Sequence, residues 1–411
     1  MRFILTPLGS GGDVYPFIGI ACALRRRGHE VRIITNGHFR DVVERHGIPY
    51  TEFGTPEQYR QAIEHPDLWH PLRGFRTVMR FVREQRHLME MIVRETGTDG
   101  VVIAHTLAFA ARLLQDAGRQ RCISIALQPA TLRSVYQGPV MGGNHGMTRL
   151  PRFAQRGLWW AADRLLVDPV VQEILDPLQQ ELGLPRQRHY FDQWLHSPLL
   201  TIGLFPDWYA PVQPDWPASV RLASFPVCDT LSGREVPPEL WQMLEGSRPV
   251  VFTAGTGNIQ AHRFFDTAVQ TCRESKRSGI LLTTHRQQLP SSLPQGVRHF
   301  DFAPLSRILP RCAALVHHGG IGTTAAALAA GIPQIIMPLS HDQPDNAARV
   351  VRNHWGRRLW PKQFTATRLA PLLREVMVDE TVANACGAAA KRLAPANGLE
   401  RACDLILNAV P

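Results

Sequence analysis

The sequence predicts an α/β protein built from two Rossmann-like domains, each a parallel sheet with helices on both faces. Three observations predict it. The length of 411 residues exceeds one ordinary core and suits two domains of about 200 residues each. Two separate series of short apolar runs alternate with amphipathic stretches, as parallel strands alternate with their crossover helices. Small-residue turns, Gly9-Ser10-Gly11-Gly12, Ala254-Gly255-Thr256-Gly257 and Gly319-Gly320, follow directly on apolar runs.

The first series opens with a strand over 2–6, a helix over 14–27 that Gly28 stops, and a strand over 30–35. A helix over 39–46, an extended stretch over 50–53, a helix over 77–94, a strand over 101–104, a helix over 107–117 and a strand over 122–126 follow. Residues 128–150 read as a long Gly, Pro and Ser-containing loop, and 153–184 as helical with a break at Asp168-Pro169. Prolines then crowd between 198 and 249 and interrupt any long element. The second series has strands over 250–253, 279–283, 297–300, 313–316 and 334–337, with helices over 264–274, 323–330 and 345–353. The expected division is therefore a first domain over 1–212, a linker over 213–248, a second domain over 249–385, and C-terminal helices over 386–411 that can pack back on the first domain.

Hydrophobic residues make up 44% of the chain and charged residues 19%, an ordinary globular balance with no apolar run of membrane-spanning length. The start of the chain lacks the pattern of a secretory signal. Seven cysteines, odd in number and never spaced C-x-x-C, fit free thiols in a reducing cytosol rather than disulfides or zinc. The expected location is the cytoplasm, with contact to the inner face of the membrane as an option. The net charge of +10 rests mostly on scattered arginines, and no nucleic-acid-binding motif accompanies it.

The chemistry sits in the turns. In the first, the third glycine of a dinucleotide fingerprint is replaced by Val14, and the following strand ends in Thr35-Asn36 without a ribose-binding acid, which disfavours a nicotinamide cofactor. What this turn offers is Asp13, a carboxylate at the sheet's carboxyl edge, able to serve as a helix cap or as a base. His105 ends a strand on the same edge, where it either pairs with Asp13 or is a plain polar loop residue. In the second domain, His318-Gly319-Gly320-Ile321-Gly322-Thr323 joins a strand to a helix start whose free amides suit phosphate. Gly255 and Thr256 form a second anion-competent turn, and two such turns in one domain fit one diphosphate. Neither carries the lysine of a P-loop. His317 and His318, adjacent on a strand, point to opposite faces and do not suit a shared metal.

Here the chain resembles the inverting nucleotide-sugar glycosyltransferases of GT-B type, with two facing Rossmann-like domains and an inter-domain cleft, the family of sterol, antibiotic and plant secondary-metabolite glycosyltransferases. His318-Gly319-Gly320-Ile321-Gly322-Thr323 resembles its H-x-G-x-x-[ST] segment, and Gly331-Ile332-Pro333 and Asp342-Gln343 follow at the family's spacing. The resemblance implies that Gly255, Thr256, His318, Gly320, Gly322 and Thr323 hold the donor diphosphate, that Asp342 and Gln343 hold its sugar, and that Phe302, with Pro304 of a W-x-P-like segment, stacks on the nucleobase. Gly9-Ser10-x-Gly12-Asp13-Val14-x-Pro16 is similar to the turn of the sterol and glycopeptide branch, which implies Asp13 as catalytic base, with His105 its candidate partner. No cofactor or metal is implied beyond the nucleotide sugar.

Three further segments, 193–198, 204–208 and His341-Asp342-Gln343-x-Asp345-Asn346-Ala347, are similar to the rhamnosyltransferase catalytic subunits of rhamnolipid synthesis. That implies a dTDP-L-rhamnose donor and a hydroxyacyl lipid acceptor. This chain keeps the wider family's histidine at His318, a departure from the subgroup, so UDP-glucose stands beside dTDP-L-rhamnose. A glucosyltransferase of sterol, phenolic or polyketide acceptors, and a nucleotide-sugar epimerase of the same architecture, are the competing readings. Two surfaces carry alternatives of their own. The stretch with Arg73, Arg76, Arg80, Arg83 and Arg86 suits a solvated helix face or a membrane surface. Leu158-Trp159-Trp160 and Leu165-Leu166 suit either helix packing or an apolar acceptor pocket.

Overall fold

The computed structural model describes residues 1–70, 73–97, 99–140, 149–394 and 397–410. In chain order the strands are β1 (Arg2–Thr6), β2 (Glu30–Thr35), β3 (Tyr50–Glu52), β4 (Val101–His105), β5 (Arg121–Ala126), β6 (Thr201–Gly203), β7 (Val220–Leu222), β8 (Val250–Thr253), β9 (Gly279–Leu282), β10 (Val297–Phe300), β11 (Ala314–His317), β12 (Gln334–Ile336) and β13 (Gly356–Arg358). The helices are α1 (Gly11–Arg26), α2 (Arg40–Arg45), α3 (Pro56–Glu64), α4 (Gly74–Phe81), α5 (Gln85–Thr96), α6 (Phe109–Asp116), α7 (Arg152–Ala162), α8 (Asp168–Glu181), α9 (Pro238–Gly246), α10 (His262–Ser275), α11 (Leu305–Ile308), α12 (Ile321–Ala330), α13 (Gln343–Arg352), α14 (Ala366–Val378), α15 (Glu380–Leu393) and α16 (Gly398–Ala409).

The chain forms two compact units, one of Met1–Leu68, Leu72–Pro226 and Asn397–Pro411, the other of Trp69–Pro71 and Val227–Ala396. The first holds a seven-stranded sheet in the order β3-β2-β1-β4-β5-β6-β7, the second a six-stranded sheet in the order β10-β9-β8-β11-β12-β13. Every strand pairing in both sheets is parallel. Two parallel-sheet α/β domains are the architecture expected, and the physical cause is visible in the burial. In the second sheet Val250, Phe252 and Leu281 face one core while Val251, Ile280 and Leu282 face the other. Strands buried on both faces read as continuous apolar runs, which is why the sequence located them.

The differences lie in elements with weak signals. The helix expected over 77–94 is two helices, α4 and α5, separated by Val82–Glu84. Gln85 ties that corner down, its Nε2 donating to the Val82 carbonyl at 2.7 Å and its Oε1 accepting from Ala110 N–H at 2.9 Å. The break expected at Asp168-Pro169 is instead a π-helical turn over Asp163–Val167 that carries α7 into α8. Strands β6 and β7, three residues each, and α9 escaped the sequence reading among the prolines, and the equally short β13 escaped it at the edge of the second sheet. Part of the loop expected over 128–150 lies outside the described residues. The chain passes between units at Pro226–Val227, inside the proline-rich segment read as a linker. Helix α16 returns to the first unit, where Glu400 accepts from Arg26 at 2.6 Å and Arg27 at 2.7 Å. No helix among the described residues is long and apolar enough to cross a membrane.

Candidate functional site

In the first sheet Asp13 and His105, and in the second the two glycine turns, fall where strand order reverses. In an open parallel sheet that reversal sends consecutive helices to opposite faces and opens a crevice beyond the carboxyl ends. In the first unit β1 and β4 are neighbours, with Thr6 beside Ala104, so Asp13, just beyond β1, and His105, the last residue of β4, share one edge. In the second unit β8 and β11 are neighbours, with Thr253 beside His317, so both glycine turns leave the sheet side by side.

Asp13 stands in the first turn of α1. Its Oδ2 accepts from Ser10 N–H at 2.7 Å and from the Ser10 hydroxyl at 3.0 Å, reaching back to cap its own helix. Gly9, at φ +130°, makes room for this, since a Cβ there would lie 2.3 Å from Oδ2. The other oxygen, Oδ1, lies 3.7 Å from His105 Nε2. His105 Nδ1 accepts from Leu107 N–H at 3.2 Å, which leaves the proton of the neutral ring on Nε2, toward Asp13. The cap and dyad alternatives are therefore not exclusive: one oxygen caps and the other faces the imidazole. Tyr59 on α3 is a neighbour the sequence reading missed. Burial raises its phenol pKa and the Asp13 charge raises it further, keeping the hydroxyl protonated.

In the second unit the imidazole of His318 lies between the two turns. A Cβ on Gly255 would meet its Cε1 at 2.7 Å, and one on Gly320 its Nε2 at 2.6 Å. Both glycines are thus required for the ring to sit there, and Gly255 also takes φ +87°. Burial pushes the His318 pKa down to about 4, an effect that the nearby Thr253 carbonyl partly offsets. The ring is neutral at pH 7, and its Nδ1 is buried without a well-formed hydrogen bond. Gly320 is the N-cap of α12 and supplies no side-chain hydrogen bond to the amides of the first turn. Gly322 is exposed, and a Cβ there would touch nothing. Thr323 completes the turn. The resulting helix start is uncapped and sterically open, a fit for an anion's oxygens.

The residues supporting this turn were not given roles by the sequence. His317 is fully buried; its Nε2 lies 2.9 Å from Gln334 Oε1 and its Nδ1 accepts from Gly319 N–H at 3.1 Å. Burial drives its pKa to about 3, so it is fixed as a neutral donor-acceptor pair. Asn346 Nδ2 donates to the Gly319 carbonyl at 2.9 Å and to Asp342 Oδ2 at 2.7 Å, linking the Gly319 turn to the loop expected to hold the sugar. Gln343 is buried, and its Oε1 accepts from Leu339 and Ser340 N–H at 2.8 and 3.3 Å. Its carbonyl therefore shapes the 339–343 loop. Phe302 and Pro304 follow β10. Arg234 lies over the Phe302 ring, 5.4 Å from its centroid, a cation–π contact between distant segments that no local pattern announces. Among the described residues no group of three or more His, Cys, Asp or Glu is placed to hold a metal ion.

The segments 193–198 and 204–208 are framework. His196 is buried with Nε2 3.1 Å from the Thr131 carbonyl, Ser197 Oγ donates to the Cys122 carbonyl at 2.7 Å, and Trp194 Nε1 donates to Asp116 at 2.8 Å. Similarity there reports packing of the first unit. The arginines of α4 and the residues after it are exposed, while Phe75, Met79 and Val82 turn into the core. Helix packing does not account for Leu158, Trp160, Leu165 and Leu166, which are exposed.

Comparison with known proteins agrees with this layout. Residues 3–114 match the model of the glycosyltransferase family 28 N-terminal domain. Residues 277–402 match that of the C-terminal domain described as erythromycin biosynthesis protein CIII-like. The chain is 29% identical to the O-mycaminosyltylonolide 6-deoxyallosyltransferase of Streptomyces fradiae, over 99% of this chain and 97% of that protein. Its fold matches the glycosyltransferase of kitacinnamycin at a TM-score of 0.78 with 18% identity, covering 100% of this chain and 99% of the other. It also matches the spinosyn rhamnosyltransferase complexed with thymidine diphosphate at 0.66 with 15% identity, covering 99% of each.

Proposed function

We propose that this chain, a glycosyltransferase of two-domain GT-B architecture whose residues 3–114 match a family 28 N-terminal domain and residues 277–402 a CIII-like C-terminal domain, moves a deoxyhexose with inversion from a thymidine diphosphate donor to a hydroxyl of an apolar acceptor. The observation that carries this reading is the convergence of both glycine turns on one neutral histidine beside an uncapped helix start. A diphosphate leaving group needs hydrogen-bond donors already in place as its charge develops, and the amides of Ile321 to Thr323 with His318 supply them without a metal. The Thr323 hydroxyl and the Gly255-Thr256 turn add further donors.

The base in this reading is Asp13. Asp13 Oδ1 takes the proton of the acceptor hydroxyl as that oxygen bonds to the anomeric carbon. The bond from this carbon to the diphosphate oxygen breaks on the opposite side and inverts the centre. Ser10 holds Oδ2, so the carboxylate cannot rotate away, and His105 keeps Oδ1 oriented and steadies the charge. Asp342 and Gln343 read the sugar, and Phe302 stacks on the base.

The preference for thymidine follows the nucleotides and sugars named for the spinosyn and tylonolide enzymes, and a hydroxyacyl lipid remains the first acceptor to try. The test is a screen of thymidine and uridine diphosphate sugars against hydroxy fatty acid, sterol and polyketide acceptors, read by mass spectrometry, with product stereochemistry assigned by NMR. Transfer with inversion from a thymidine diphosphate sugar is expected. A retained configuration, or product formed from donor alone as an epimerase would form it, overturns the reading.

A further inference from the structure

Helix α7 presents a surface that water-exposed helices rarely carry. Of its 11 residues only Gln155 is buried. Phe153 is 78% exposed and Trp160 58%, and the π turn that follows adds Leu165 at 71% and Leu166 at 64%. Arg149, Arg152, Arg156 and Arg164 are exposed in the same segment. Its sole carboxylate, Asp163, is buried and bound to Arg133 at 2.6 Å. Every exposed charge from 149 to 167 is therefore positive. Helix α8 continues from this turn and packs beside α4 over a shared core, and Arg76 and Arg80 of α4 are exposed as well.

Large aromatic and aliphatic side chains interleaved with arginines, without exposed acids, are the chemistry of a helix lying in a lipid headgroup layer. A second copy of the chain fits worse, because an isologous contact would bring the same arginines face to face. We propose that the α7–π-turn surface, through Phe153, Trp160, Leu165 and Leu166 flanked by Arg152, Arg156 and Arg164, docks this protein on an anionic bilayer. The apolar side chains enter the headgroup boundary and the guanidiniums pair with lipid phosphates. This rests on the surface alone and not on which acceptor the enzyme uses.

The full chain is sedimented with vesicles of phosphatidylcholine alone and with vesicles of phosphatidylcholine and phosphatidylglycerol in equal parts. Binding to the anionic vesicles and release by salt are expected. The variant Phe153→Ser/Trp160→Ser/Leu165→Ser lowers partitioning roughly tenfold or more. The variant Arg152→Glu/Arg156→Glu/Arg164→Glu lowers it by about a hundredfold, from about fivefold per arginine. An unchanged unfolding transition in either variant establishes that the fold is kept, and one folded variant suffices for the test. Equal or absent binding to the two vesicle types overturns the proposal, as does a folded variant that binds like its parent. Loss of a dimer in the apolar variant, or a raised acceptor KM in vesicle-free solution with vesicle binding intact, also overturns it and reassigns the face.

Discussion

The two units solve the same local problem in opposite ways. Each runs a strand into a glycine turn and a helix at the point of strand reversal, and each helix start presents amides that need a partner. In α1 the chain supplies its own, because the Asp13 carboxylate folds back on Ser10. In α12 the N-cap is Gly320 and the second residue is Gly322, so no side chain does so. A helix start that carries its own anion becomes a place to hold a carboxylate, and one that lacks it becomes a place to receive an anion. The neighbouring histidines follow suit: His105 faces an acid in the first unit, while buried neutral rings shape the second.

The comparison can be broken from either side. Asp13→Asn keeps an oxygen for the Ser10 cap but removes the base. Turnover should drop about a thousandfold while calorimetry shows unchanged binding of thymidine diphosphate; normal turnover removes Asp13 from the chemistry. His318→Ala should lower kcat roughly a hundredfold and weaken diphosphate binding, and a near-parental rate would detach the ring from the leaving group. Gly322→Asp gives α12 the internal anion it lacks. Its unfolding free energy should rise by about 1 kcal/mol while nucleotide affinity falls about tenfold or more, and a variant that gains stability without losing affinity refutes the idea that the uncapped start is the anion site.

Acid titration separates the units less sharply. His196 in the first unit and His317 in the second are held neutral when folded, with pKa values of about 4 and about 3 against 6.5 for a free ring. The unfolded chain therefore binds protons that the folded chain refuses. Stability is full above pH 6.5 and falls as pH drops from there toward 4, by up to about 3 kcal/mol for His196. His196→Asn should flatten that part of the curve in denaturant titrations at successive pH values, and an unaltered slope would show that His196 is not a source of it.

Much of the candidate site was legible because glycine, proline and charge have local consequences. Gly255, Gly319 and Gly320 mark turns whose backbone or close contacts only glycine tolerates. Asp13, expected just ahead of a helix starting at 14, falls instead in the first turn of a helix that starts at Gly11 and is capped by Ser10. His317, Asn346, Tyr59 and Arg234 were given no role because their work depends on partners 15 or more residues away, as in the contact of Asn346 Nδ2 with the Gly319 carbonyl. The 82–84 corner was invisible for the same reason: Gln85 is a good helix former whose side chain is claimed by Val82 and by Ala110 in α6. The three-residue strands β6, β7 and β13 are too short for any period to show.

By itself the sequence determined the alternation of strands and helices, hence two doubly covered parallel sheets, and it determined where the glycine turns and the acid between β1 and α1 fall. These follow from side-chain periodicity and backbone freedom within a few neighbouring residues. Only the tertiary structure decided that one oxygen of Asp13 caps while the other meets His105, that two distant glycine turns close on the ring of His318, and that α7 turns its aromatic residues outward. Those outcomes depend on which strands become neighbours and which faces find a core, and no local stretch of chain encodes either.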